Sequence, residues 1–478
     1  MKMITKRFNS FNIIFVISII LYIALSFIVI KNRIPYFDEI NAWNIASYCN
    51  FFELFEVSKH EGHFVLWYLL LKPFAQNNIG FPYLMFFLNW IFAFISVLIL
   101  WIKSPFNSFI KIFITFSLPF QMYSVYARCY AIGVMLLFII CSLYKKRVMH
   151  NILYPILIIL LANTSVIGAI ISFYLGLIYI NDLINGIKKQ DISIKHFIYS
   201  VSIFLFGAAI IILQINNYHI PWYAKNMTHI RNIITDFSMF YPTITSKIIL
   251  IIHLLLLLTG FKFFKETKLL YVVLMCFTGT IIFISFNIYT LVIWHYLFFY
   301  IILISTIWIY IDNYEIKSVF QKLYYYLFGI LCFLLIFYFK YPWHWNGFHI
   351  PTTQYIENNY SEYINSNIFM YPTDSSVIGI IQMLRKNNNI DFYSSNGYSY
   401  KTADAYIHQW DKKRINYTNI KEVITKNPGK KNFLIVPIVE QWKLNNEDFI
   451  NSLKENNTNI KFIPYNTTND VIIYKINY

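Results

Sequence analysis

Apolar runs of about 18 or more residues recur along the first two thirds of the chain, and no other feature restricts its fold as much. A helix needs roughly 20 such residues to cross a hydrocarbon core of about 30 Å. Inside that core every backbone N–H and C=O must find its partner within the protein. The first run covers 12–30, and further spans are expected at 82–101, 105–122, 127–144, 150–164, 165–181, 196–215, 246–264, 269–287, 291–311 and 323–340. The expected fold class is therefore a polytopic α-helical membrane protein with about eleven transmembrane helices. Composition agrees: 13% of residues are charged, against about 25% in soluble domains. The first run follows Lys2, Lys6 and Arg7 as a signal peptide would, but it has no small-residue cleavage site and is long enough to span. It reads as a retained anchor.

The formal charge of +16 does not indicate nucleic acid. Basic residues fall in short stretches between apolar runs, as in "YKKRVMH", "NGIKKQDISIK" and "FKFFKETK", the pattern of cytoplasmic loops rather than of a basic groove. The segment 64–75, "FVLWYLLLKPFA", is apolar but reaches only about 18 Å as a helix. Trp67, Tyr68 and Lys72 suit the headgroup layer, so it is expected to lie in the interface. Counting it as a span would turn the later lysine-rich loops outward. Leaving it out puts the N-terminus in the cytoplasm and places 32–81, the start of the span at Arg128, the loop 216–245, the entry to the span at His295 and the tail outside.

After about residue 341 the long apolar runs give way to Asn, Lys, Asp and Tyr, with strand-like and helix-like pieces in alternation. This predicts two domains: a transmembrane domain over 1–340 and a small extracytoplasmic α/β domain over 341–478, with a helix start capped by Asp374 or Ser375. Cys49, Cys129, Cys141, Cys276 and Cys332 show neither CxxC spacing nor metal-type clustering, so no disulfide framework is implied.

Asp38 and Glu39 follow the first span in an apolar, aromatic setting of Ile34, Pro35, Tyr36, Phe37, Ile40 and Trp43. Carboxylates there are either solvated loop charges or, in a pocket at the bilayer surface, a general base for a hydroxyl acceptor. In "KHEGHF", His60, Glu61 and His63 are ligand types for a metal, but the second His comes one residue too early for the helical HExxH pattern. A polar cap on the following helix, or a substrate contact, accounts for them better. No residue pattern requires a cofactor, and a divalent metal has no support beyond these ligand types. Arg128, at the mouth of its span, is either an interfacial arginine reaching headgroups or a bidentate phosphate ligand. His295 is similarly placed, and Lys225, His229 and Arg231 add positive charge to the same side.

The order of these residues resembles the GT-C superfamily of membrane glycosyltransferases, in the branch of protein O-mannosyltransferases, lipid A aminoarabinose transferases and their bacterial relatives. That branch carries an Asp-Glu pair soon after its first span, matched by Asp38-Glu39. A His precedes a Leu/Tyr-rich interfacial segment, matched by His63 ahead of "LWYLLLKPF", and an Arg-x-Tyr opens a following span, matched by Arg128 and Tyr130. The likeness covers about residues 10–145 and extends to the rest only through architecture. One departure is Phe64, where the family often has Pro.

The resemblance implies transfer of a sugar from a polyprenyl-phosphate donor to a hydroxyl of a glycan, lipid or protein, with inversion, on the outer face of a bacterial cytoplasmic membrane. Asp38 would be the general base, with Glu39 orienting base or acceptor. Arg128 and Tyr130, with His60, His63, Lys225, Arg231 and His295, would hold the donor phosphate and substrate. The alternatives are a lipid or glycan flippase and a non-catalytic lipid-binding relative. Flippase-like folds are marked by broken helices in pairs and by ionisable groups at mid-membrane.

Overall fold

In the computed structural model, the residues described are 2–33, 35–60, 63–77, 79–215, 243–287, 293–336, 360–370, 390–394, 417–437, 461–467 and 471–477. The chain is a helical membrane protein carrying a small sheet. Among the described residues, five helical segments are long and apolar enough to cross a membrane: Ile13–Lys31, Tyr83–Lys103, Val166–Lys188, Ile194–Ile215 and His295–Asn313. Two compact units divide it. One comprises Met1–Arg33, Gly62–Trp67 and Gly80–His344; the other comprises Ile34–Glu61, Tyr68–Ile79 and Trp345–Tyr478.

The first unit begins with α1 (Lys2–Asn32). In the second, α2 (Phe37–Tyr48) and α3 (Phe51–Ser58) follow, and α4 (Val65–Ala75) is shared between the units. The first unit then continues with α5 (Tyr83–Lys103), α6 (Ser108–Thr115), α7 (Leu118–Val125), α8 (Tyr130–Leu143), α9 (Leu153–Ala162), α10 (Val166–Lys188) and α11 (Ile194–Ile215). It ends with α12 (Thr243–Phe263), α13 (Lys268–Asn287), α14 (Ile293–Asn313) and α15 (Val319–Leu334).

Every expected span has helix among its described residues, but four do not form helices of spanning length; the one expected at 323–340 is the 16-residue α15. The run expected at 105–122 is two 8-residue helices, α6 and α7, because Phe116 leaves helical geometry and Pro119 sits where a new helix starts. Those expected at 127–144 and 150–164 become 14 and 10 helical residues, the second ending at Asn163. At 1.5 Å per residue, ten residues reach about 15 Å, half of a hydrocarbon core.

Small residues let these helices approach closely, as is common where apolar burial alone does not favour association. A Cβ on Gly168 would lie 2.4 Å from Leu161 O and 2.4 Å from Thr164 Oγ1, and one on Gly207 would lie 2.4 Å from Ile159 Cγ1. Polar side chains then fasten loops to helices. Asn89 Nδ2 on α5 donates to Tyr123 O at 2.8 Å, and the Arg33 guanidinium donates to Val125 O while lying 4.3 Å over the Phe86 ring. Both bonds hold the end of α7, immediately before Arg128.

In the second unit the described tail forms a five-stranded sheet of β1 (Ser366–Met370), β2 (Ile390–Ser394), β3 (Lys431–Pro437), β4 (Lys461–Thr467) and β5 (Val471–Asn477), ordered β2-β1-β3-β5-β4. β1 is parallel to β2 and β3, whereas β5 is antiparallel to β3 and β4. Short helices, α16 (Tyr360–Tyr363) and α17 (Tyr417–Lys426), complete it, and Ile420 and Ile424 are buried with Ile368, Phe369, Leu434 and Ile435. Asn367 and Asn432, paired in register on β1 and β3, bond side chain to side chain at 2.8 Å. The expected mixture of strands and helix is present; Asp374 and Ser375 lie outside the described residues.

Candidate functional site

His63, Arg128, Tyr130 and His295 meet in the first unit. Each arrives by a different device. Arg128 stands in the short turn between α7 and α8, closed by its own N–H on Tyr126 O at 2.8 Å. Tyr130 opens α8 and His295 lies in the first turn of α14. His63 lies on an extended segment that forms an isolated antiparallel bridge with Ser165, just ahead of α10.

His63 is expected as either a polar cap on the following helix or a substrate contact. His63 does not cap α4. The first N–H groups around the helix start are met elsewhere: Phe64 by Thr164 O at 3.3 Å, Val65 by Gln214 Oε1 at 2.9 Å, and Leu66 by Asn163 O at 3.3 Å. The imidazole is left to turn inward.

There, Arg128 Nη2 lies 2.7 Å from His63 Nδ1, and His63 Nε2 lies 3.0 Å from Tyr130 Oη. A guanidinium only donates, so Nδ1 must accept. The ring is then the neutral tautomer with its hydrogen on Nε2, and that hydrogen is donated to the Tyr130 oxygen. Burial pushes the His63 pKa well below its ordinary value, with the charge of Arg128 and the neighbouring His295 acting in the same direction. The result is a directional chain from Arg128 through His63 to Tyr130. Each link polarises the next, so the Tyr130 hydroxyl becomes a stronger donor.

The surroundings are aromatic and dry. Arg128 is 2% exposed and His63 8%. Tyr130 stacks on Tyr123 at 5.4 Å and on Tyr126 at 6.1 Å, with His63 and His295 edge-on at 5.6 and 5.9 Å. Water does little to screen a guanidinium buried to this degree. Two planar N–H pairs match phosphate or carboxylate oxygens.

The other expected residues are placed as follows. Asp38 is half-buried in the first turn of α2, in the second unit. Glu39 is fully buried, and its Oε2 accepts from the Tyr36 backbone N–H at 2.6 Å, closing the start of its own helix. That bond is the one a capping carboxylate makes at a helix start. His60 is half-buried in the turn after α3, with its backbone N–H on Val57 O at 3.0 Å. Lys225 and Arg231 lie outside the described residues. Among the described residues no group of three or more His, Cys, Asp or Glu side chains is gathered as metal ligands would be.

Two residues at this site were missed in the sequence. Gln214 and Asn163 hold the start of α4, just after His63, and a lone amide in an apolar run is the single trace they leave there. No family model, curated protein or solved structure matches the chain.

Proposed function

We propose that the chain is a membrane glycosyltransferase of GT-C type, with about eleven spans once short and broken helices are counted, its N-terminus cytoplasmic and its chemistry on the outer face of a bacterial cytoplasmic membrane. The donor is a polyprenyl-phosphate sugar and the acceptor a hydroxyl of a glycan, lipid or protein. The observation that carries this reading is the bond from buried Arg128 to neutral His63, which continues to Tyr130.

Each role follows from the chemistry of the leaving group. The acceptor oxygen forms its bond to the anomeric carbon as the bond from that carbon to the phosphate oxygen breaks. The Asp38 carboxylate takes the acceptor's proton. The lipid phosphate leaves as an anion, so it needs positive charge more than a proton. Arg128 supplies that charge, and the Tyr130 hydroxyl, polarised through His63, donates to the same anion. Donors fixed before reaction and kept from water stabilise developing charge most effectively. Glu39 shapes α2 and presents its neighbour Asp38, acting through the helix start.

The test is mass spectrometry of surface glycans and glycolipids from cells lacking the protein, re-supplied with wild type or Asp38→Asn at equal membrane abundance. A sugar-mass increment restored by wild type alone supports the transferase, and the mass names the sugar class. Equal restoration by both removes Asp38 as base and favours a flippase or lipid-binding role.

A further inference from the structure

α11 packs against α9 and α10 of the first unit. Along Ile194–Ile215 the buried residues are Ser200, Gly207 and Gln214, seven apart, on one side of the helix. Ser200 Oγ donates to Asn151 O at 3.0 Å, and Gly207 lies where any Cβ would strike Ile159 of α9. Gln214, at the other end of the stripe, is fully buried.

A glutamine in that position uses both ends of its amide. Nε2 donates to Asn163 Oδ1 at 2.8 Å and to Ile210 O at 3.2 Å. Oε1 accepts the Val65 N–H at 2.9 Å. The N–H groups at the start of α4 are met from two sides: Phe64 and Leu66 donate to the 163–164 carbonyls, whereas Val65, the first helical residue, donates to a side chain of α11. Gln214 is what meets it there. Val65 is 4% exposed, so its N–H would otherwise be a buried donor without an acceptor. Asn163 in turn supplies the carbonyl that Leu66 bonds, so one amide ties the start of α4 to the end of α9.

We infer that Gln214 is a positioning residue of the anion site: it fixes the start of α4 at Val65, two residues after His63, and so holds His63 Nδ1 in reach of Arg128. It touches neither the anion nor Arg128. The functional meaning rests on the glycosyltransferase reading, but the geometry does not. His63 can be followed without any substrate.

The experiment uses the full chain in lipid nanodiscs, with histidine labelled by 15N and His63 assigned by the signal that His63→Gln removes. In wild type the ring shows an unprotonated Nδ1 and a protonated Nε2, unchanged between pH 7.5 and 5.5. Groups facing the ring are Arg128, Tyr130 and His295, and all are kept. Gln214→Leu is expected to move the midpoint of His63 upward by at least one pH unit, toward the ordinary value of about 6.5. Gln214→Glu keeps an acceptor for Val65 and should hold the wild-type signature at least in part. Ser200→Ala, at the far end of the same stripe, should leave it whole.

If Gln214→Leu does not fold, Val65→Pro replaces it. Proline is tolerated at the first helical position and removes the N–H without leaving it orphaned. It too should raise the His63 midpoint. A His63 signature unchanged in whichever of the two variants folds overturns the inference. A changed signature together with an unchanged sugar-mass profile leaves Gln214 positioning His63 and removes the Arg128–His63 pair from the reaction, whereas a profile that is the same with and without the wild-type protein sinks the transferase reading instead.

Discussion

Arg128 donates to His63, 65 positions earlier in the sequence, Nη2 to Nδ1 at 2.7 Å, in a setting where neither side chain meets bulk water. The bond fixes the tautomer of the imidazole and orients the guanidinium plane. A lysine has the charge without the fork.

Arg128→Lys should therefore fail to replace arginine. Removing one preorganised donor from developing negative charge typically costs about 100- to 1,000-fold in rate. The rate at which the sugar-mass increment reappears after induction reads this directly. Arg128→Lys working at wild-type rate would show that no bidentate contact is made.

The pH dependence of stability has a definite sign. His63 is neutral in the folded protein, with its pKa well below the unfolded value of about 6.5. Between those two values the unfolded chain binds a proton that the native one does not. Stability from this group is thus fully present above about pH 6.5 and is lost as pH falls below it, by at most about 1.4 kcal/mol per pH unit. Unfolding in detergent at pH 7.5 and 5.5 should show this loss, and His63→Gln should flatten the slope. An equal slope in both proteins would assign the effect to other groups.

Asp38 and Glu39 are adjacent but separable. Asp38→Asn should abolish transfer while leaving the thermal midpoint near wild type. Glu39→Ala removes the acceptor from the Tyr36 N–H and should destabilise by about 0.5–2 kcal/mol, as lost caps do. Glu39→Gln retains a capping oxygen and should recover most of that. Thermal unfolding and the glycan profile together distinguish the two residues.

Gly168→Ala should be harmful well beyond one methyl group. The new Cβ would meet the Leu161 carbonyl and the Thr164 hydroxyl at 2.4 Å, in the turn that carries the His63 bridge partner. A thermal midpoint lowered by several degrees is expected, together with loss of transfer. Gly176→Ala, whose Cβ would come no nearer than 3.6 Å to Phe204, is the matched control on the same helix and should be tolerated.

Much of the fold was legible because it is locally encoded. Runs of Ile, Leu and Phe announce helices in membrane, and short β-branched and aromatic runs such as "NFLIVP" announce strands, here β3. The helix at 64–75 and its short length were equally plain. The broken run at 105–122 was not, because hydropathy is continuous across Phe116 while the backbone is not.

The candidate site was legible as residue types and not as an assembly. Order and composition singled out His63, Arg128, Tyr130 and His295, and left His63 as either a helix cap or a substrate contact; Gln214, Asn163 and Thr164 meet the first N–H groups of the helix. Glu39 appeared as half of a carboxylate pair, and its buried carboxylate bonds the Tyr36 N–H at the helix start. By itself the sequence determined a helical membrane protein with a small α/β tail, since hydropathy and alternation are properties of neighbours along the chain. Only the tertiary structure decided which polar groups meet. Hydrogen bonds between distant amides, rings and guanidinium groups follow from how helices pack, and they leave no periodic trace in the order of residues.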